Sequence, residues 1–257
     1  MNVLPSFQLK DKVAVVTGAG RGIGQAIAVG FADAGADVVL MARTMSDLED
    51  TAKIIQEKGQ KAYVYPTDLT DHDQIHTSVE SILVETGKVD ILVNNAGMNI
   101  RSSAFEVTDQ EWQTIMDTNL RSAFWMSQKV GKSMKEAGGG RIINIASVAG
   151  TTALRTGVVY ASTKAALIQM TKNLALEWGE YGINVNSIGP WYFKTPLTEK
   201  LLKDEEYLSA ILDRTPLKRV GVLPELVGPA VFLASDAASY VTGQTLFVDG
   251  GMTIYGF

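Results

Sequence analysis

The 257-residue chain contains no cysteine. That removes disulfides, thiolate nucleophiles and cysteine-ligated zinc from its chemistry and suits a reducing, cytoplasmic setting. Histidine is almost as scarce, with only His72 and His76. They stand four apart on an expected helix, where a solvated polar face is a commoner use than a metal pair, so no metal site is expected. No apolar run approaches the ~20 residues needed to cross a bilayer. Met1 to Lys10 lacks the basic and apolar regions of a secretory leader, so neither export nor a membrane partner is expected. Positive charge is in deficit too, and the net charge of −5 is the wrong sign for a nucleic-acid partner. Repeats, low-complexity stretches, charge blocks and Pro/Gly/Ser-rich linkers are all missing.

Hydrophobic residues make up 46% of the chain and charged residues 20%, as in a globular protein. Short β-rich runs alternate with helical patterns, the signature of a parallel sheet wrapped by helices. The predicted strands are 13–17, 38–41, 62–65, 91–94, 141–145, 184–188 and 245–248. Most are continuous apolar runs, as expected where both faces of a sheet are covered. Ser46 with Glu49, and Thr108 with Glu111, have capping-box spacing and predict helix starts. Gly35 and Gly59 fall where helices should end. Residues 189–219 break the alternation with Pro190, Pro196, Pro216 and a polar helical stretch over 199–212. An insertion after the carboxyl end of a strand is where a substrate lid sits, although a surface excursion without a role has the same appearance.

The first strand runs into Thr17-Gly18-Ala19-Gly20-Arg21-Gly22-Ile23-Gly24 and then an amphipathic helix. Glycines there let the backbone approach a pyrophosphate, and the helix start offers free N–H groups to that anion. The placement between strand and helix makes the motif specific for a dinucleotide. A carboxylate ending the second strand would hold the ribose 2′-hydroxyl of NAD(H). This chain has Ala42-Arg43-Thr44 instead, and Arg43 with Arg21 can pair with a 2′-phosphate, which favours NADP(H) over NAD(H). Asp68, with Leu69 beside it, follows the third strand, either for the adenine or as an acid at a helix start. Asn94-Asn95-Ala96-Gly97 closes the fourth strand with small residues that let a cofactor pass.

These motifs, with Asn119, Ser147 and Tyr160-x-x-x-Lys164 following in order, resemble the short-chain dehydrogenase/reductases from Lys12 to Gly251. The resemblance implies a single-domain Rossmann-type αβα sandwich over residues 1–257 with a seven-stranded parallel sheet, commonly a homotetramer. Tyr160 and Lys164 are one helical turn apart and share a face. A free phenol, with a pKa near ~10, is a poor base, and a neighbouring ammonium favours its phenolate. Ser147 can donate to a substrate oxygen. In the family's pattern Tyr160 is the acid/base, Lys164 also holds the nicotinamide ribose, Ser147 positions the carbonyl, and Asn119 supports a water-linked relay. Each residue alone has an ordinary structural use; the combination behind a dinucleotide loop does not. Pro190, Phe193 and Thr195 carry over as cofactor contacts, whereas Trp191 stands where the family usually has glycine and is expected to form an aromatic wall of the substrate pocket.

The segment Gly189-Pro190-Trp191-Tyr192-Phe193-Lys194-Thr195-Pro196, Trp191 apart, resembles the lid of gluconate 5-dehydrogenases. So do Arg214-Thr215-Pro216 and Phe247 to Met252. Arg101 has a basic counterpart in those enzymes, and Arg155 comes from a loop that lines the pocket. With Lys194 they can meet a carboxylate, although surface arginines are common. The expected activity interconverts a ketone and a secondary alcohol on a small molecule such as a sugar acid. The alternatives are a 3-oxoacyl-thioester or broad carbonyl reductase and a non-catalytic NADP-binding redox sensor.

Overall fold

β1 (Val13–Thr17) is buried along its whole length, as its unbroken apolar sequence requires. In the computed structural model, which describes residues 3–255, it lies inside a seven-stranded sheet of order β3-β2-β1-β4-β5-β6-β7. The other strands are β2 (Asp37–Ala42), β3 (Ala62–Pro66), β4 (Ile91–Asn94), β5 (Gly140–Ile145), β6 (Ile183–Pro190) and β7 (Thr245–Val248). Every pairing is parallel. The chain ends, including the first two residues of the leader-free stretch expected at Met1 to Lys10, lie outside the described residues.

Side chains alternate between the two faces of the sheet. Ala14, Val16, Val38 and Leu40 pack with α1 (Gly22–Asp33), α2 (Met45–Glu57) and α9 (Pro224–Ala234). Val13, Val15, Val39 and Met41 pack with α3 (His72–Thr86), α5 (Ser122–Glu136) and α6 (Val158–Trp178). The result is three layers, helices–sheet–helices. α6 is 21 residues long, but among the described residues no helix is long and apolar enough to cross a membrane.

Local signals acted much as their chemistry dictates. Thr108 and Glu111 form a reciprocal capping box at the start of α4 (Asp109–Met116). Gly35 and Gly59 follow α1 and α2 with φ of 102° and 83°, the left-handed geometry that ends a helix. The Ser46–Glu49 box does not form. Thr44 precedes the first turn of α2 and makes no side-chain cap, so Ser46 falls inside the helix. Asp71 caps α3 by accepting from Asp73 N and Gln74 N, which leaves Asp68 out of that role.

The inserted segment also differs from its prediction. β6 extends through Gly189 and Pro190, because Gly189 leaves room for the Phe247 ring of β7, 2.5 Å from where a Cβ would sit. The excursion therefore starts at Trp191. Its single expected helix is two, α7 (Glu199–Leu202) and α8 (Glu205–Asp213). The break falls at Asp204, whose carboxylate accepts from Tyr207 N and starts a new helix. Trp191 avoids the left-handed backbone that a glycine would allow, since among the described residues only Asp11 and Lys218 have positive φ without being glycine.

Candidate active site

Strand order reverses between β1 and β4, so the crevice at their carboxyl ends is the expected ligand site of such a sheet. On one side lies the glycine loop. Arg21 precedes α1 in extended conformation without a side-chain cap, so the first N–H groups of α1 are left for an anion. A Cβ on Gly24 would stand 2.3 Å from Gly18 O and 2.4 Å from Asn95 Nδ2. That helix start is packed against its own loop, with no room for even a methyl group.

Asn95 belongs to the same unit. Its amide donates to Thr17 O at 2.9 Å and Gly18 O at 3.2 Å, while Thr17 Oγ1 accepts from the backbone N–H groups of Asn95 and Ala96. β4 is thereby tied to the glycine loop, and Asn95 shapes the floor of the crevice. Gly97 leaves space beside Asn119 Oδ1 and Lys164 Nζ, 3.3 and 3.7 Å from its ideal Cβ position. Thr195 and Pro196 descend on the same loop, about a van der Waals contact from a Cβ built on Gly22. Arg21 and Arg43 are exposed at the rim and form no ion pair among the described residues. Asp68 accepts from Thr70 N and Oγ1 through one oxygen, and Leu69 beside it is buried. The Phe193 ring is buried against Gly221 in the core, so only its backbone faces any ligand.

The other side of the crevice holds the titratable groups. Tyr160 is in the first turn of α6, where Gly157 (φ 88°) lets the helix start lie against Ile100 O and the Arg101 backbone. Lys164, one turn on, is buried and donates to Ile145 O at 2.7 Å. Its ammonium lies 5.6 Å from the centre of the Tyr160 ring. Burial brings the lysine down to about 8. Ser147 starts the turn after β5, and its Oγ accepts from Ala149 N at 3.1 Å, leaving its proton free to donate.

The phenol departs from the expected acidification. Burial pushes the Tyr160 phenol up from its ordinary value, against the downward pull of a hydrogen bond from Ser147 and the charge of Arg101. Desolvation outweighs the polar neighbours, and the neighbour that acts on it by charge is Arg101 rather than Lys164. Asn119 lies in a π-helical turn, Asp117–Arg121, an irregularity that recurs at functional sites. Its amide donates to Met98 O and Thr163 Oγ1 and its oxygen accepts from Met98 N. Both side-chain donors are thus committed, one to the loop after β4 and one to α6.

The mouth of the crevice joins Arg101, Arg155 and Trp191, which the sequence singled out, to Tyr192 and Tyr207. Arg101 Nη1 donates to Arg155 O at 3.0 Å and to the Tyr207 hydroxyl at 2.9 Å. Tyr207 and Tyr192 share a hydrogen bond of 2.6 Å between hydroxyls. The Tyr192 ring meets Trp191 edge-on at 4.6 Å, and Trp191 Nε1 donates to Thr215 Oγ1. Arg155 contributes its carbonyl, its side chain remaining exposed. Lys194 lines a separate cleft of about 500 Å³ with Thr195, Glu199 and Val220. His76 sits 3.1 Å from Glu80 and His72 lies edge-on to Trp125. Among the described residues, no three His, Asp or Glu side chains gather as metal ligands.

A doubly wound sheet with a glycine-cradled helix start and a Tyr–Lys pair across the crevice defines the class: a dinucleotide-dependent oxidoreductase of the alcohol–ketone couple. The chain belongs to the short-chain dehydrogenase/reductase family. The family profile described as enoyl-(acyl carrier protein) reductase matches residues 18–253. Gluconate 5-dehydrogenase of Gluconobacter oxydans is 42% identical over 249 residues, 96% of this chain and 97% of that protein. A tropinone reductase homolog of Arabidopsis thaliana is 40% identical over 98% of this chain and 96% of its own length. A crystal structure of a gluconate 5-dehydrogenase from Burkholderia cenocepacia, in complex with NADP and tartrate, superposes with a TM-score of 0.95 at 38% identity. It covers 99% of this chain and 100% of that one.

Proposed function

We propose that this protein is an NADP(H)-dependent oxidoreductase interconverting the ketone and secondary alcohol of a sugar acid. The observation that carries the reading is the convergence of Tyr160, Ser147 and Lys164 at the crevice faced by the glycine loop. The site fits a dinucleotide: Gly18, Gly20, Gly22 and Gly24 form a cradle that side chains would fill, and the first turn of α1 is uncapped. Arg21 and Arg43 would hold a 2′-phosphate. Ile23, Asp68, Leu69, Ala96, Gly97, Pro190, the Phe193 backbone and Thr195 would line the rest. Bound nicotinamide supplies the hydride.

The chain's own groups manage the oxygen. Because burial raises Tyr160, its hydroxyl stays protonated at neutral pH and gives that proton to the carbonyl oxygen in reduction. Ser147 donates to the same oxygen. Lys164 retains two N–H donors beyond its bond to Ile145 O, in place for a ribose. Asn119 holds the Met98 backbone against Thr163, supporting the relay at one remove. In the alcohol-oxidising direction Tyr160 must first lose its proton, so that rate rises with pH while reduction falls as the phenol ionises.

The substrate class rests on Arg101 at the mouth and on relatives named for gluconate oxidation, including the neighbour holding tartrate, a hydroxy acid. The gluconate-named relatives weigh against thioester or broad carbonyl reduction, although a tropinone reductase homolog is about as similar, and a redox sensor has no need of the Tyr–Lys pair. We further read residues 191–219 as the lid of a single-domain enzyme that works in the cytoplasm as a homotetramer. The lack of cysteine suits that compartment. Exposed Trp112, Phe124 and Leu176 on α4, α5 and α6 give partner copies an apolar surface to cover. The test is turnover of NADPH with 5-ketogluconate against an acetoacetyl thioester. Preference for the thioester removes the sugar-acid reading. Replacing both Arg21 and Arg43 by alanine should lower the NADPH-over-NADH ratio of kcat/KM roughly 10–100-fold, the worth of charge-assisted hydrogen bonds. An unchanged ratio removes these residues from 2′-phosphate binding.

A further inference from the structure

We propose that Tyr207, on lid helix α8, sets the enzyme's preference for an anionic substrate by holding Arg101 in place. This rests on the sugar-acid reading above. A guanidinium only donates, which fixes the direction of the hydrogen bonds that Arg101 makes. Arg101 Nη1 carries two hydrogens, and its acceptors are Arg155 O and Tyr207 Oη. That nitrogen is saturated. The Nε–Nη2 edge of the planar fork is the one that meets a carboxylate with two parallel bonds, and the Tyr192 hydroxyl is a further polar neighbour of the guanidinium.

Tyr207 Oη, which accepts from Arg101, also shares a hydrogen bond of 2.6 Å with Tyr192 Oη. The linked side chains of Arg101, Tyr207 and Tyr192 thus join the loop after β4, helix α8 and the strand exit after β6. Sequence distance makes the arrangement costly to assemble by chance: Arg101 and Tyr207 are 106 residues apart. Asp204 makes it reproducible by capping α8 at Tyr207 N, which places the ring in the first turn. Trp191, braced by Thr215, holds Tyr192 from behind. Tyr207 is a positioning residue: it touches Arg101, and Arg101 touches the acid.

The experiment compares kcat/KM for 5-ketogluconate with that for its methyl ester, which keeps the ketone and removes the charge. Four proteins are measured: the full-length enzyme, Tyr207→Phe, Arg101→Ala and the double variant. In Tyr207→Phe the acid-over-ester ratio should fall about tenfold, the worth of a hydrogen bond to a charged group, chiefly through KM for the acid. Against the Arg101→Ala background the same change should do nothing further, because the two act as one unit. A Tyr207→Phe enzyme with an undiminished ratio, or with an effect that adds in full to that of Arg101→Ala, overturns this role and leaves the sugar-acid reading standing. A parent enzyme indifferent to the charge overturns both.

Discussion

The two walls of the crevice are built by different means. On the cofactor wall, Thr17, Gly18, Gly24 and Asn95 are held by side chains bonded to backbone groups and by spaces too small for a methyl group. On the substrate wall, Arg101, Tyr192 and Tyr207 are held by side chains meeting side chains on the half-exposed lid. Backbone geometry tolerates almost no substitution, whereas side-chain pairs can be exchanged without disturbing the sheet. One scaffold can therefore keep its nucleotide and change its substrate.

The sharpest way to break this contrast is at the residue between the walls. Tyr160→Phe should lower turnover of every ketone about 10³-fold, the usual size of a general-acid contribution, with NADPH affinity by fluorescence titration little altered. Activity surviving that change would show that another group handles the proton. On the cofactor wall, Gly24→Ala forces a Cβ against Gly18 O and Asn95 Nδ2. A loss of roughly 1–3 kcal/mol, typical of overpacking, should appear in denaturant melts together with weakened NADPH binding. Unchanged melts would mean the loop relaxes freely.

A smaller effect tests the electrostatics beneath both walls. Lys164 falls from the ordinary 10.5 to about 8 on folding, so between those values the unfolded chain binds the extra proton. Its contribution to stability is then complete above about 10.5 and lost as pH falls toward 8. The unfolding free energy should rise from pH 8 to 10 relative to Lys164→Met, by an amount on the order of 1–3 kcal/mol. Parallel curves for the two proteins would place Lys164 in a better solvated position.

The contrast also explains what could be read in advance. The strands, the glycine loop and the Tyr160–Lys164 spacing are local patterns of period 2 or 3.6, and each appears within a few residues of its predicted place. Asn119 was visible as a motif, but its commitment to Met98 and Thr163 depends on packing across 44 residues. Tyr207 carried no signal and Tyr192 appeared only within the lid-like segment, because their meaning lies in a partner from a remote loop. The upward shift of Tyr160 was hidden for a related reason: sequence spacing shows neighbouring charge but not how much water is excluded. Ser46 failed as a cap because the helix began two residues earlier, with Thr44 before it and Met45 as its first residue, a shift of the size helix ends commonly show.

The order of the strands has a consequence for synthesis. β1 finds its inner neighbour β4 only after residue 91 has been made, through the Ala14–Ile91 register. β7, which closes the far edge, is the last strand to emerge. A chain leaving the ribosome must hold its first strand half-paired while most of the polypeptide is still to come. Such non-local closure is slow, so regain of activity after dilution from denaturant should trail the return of helical signal.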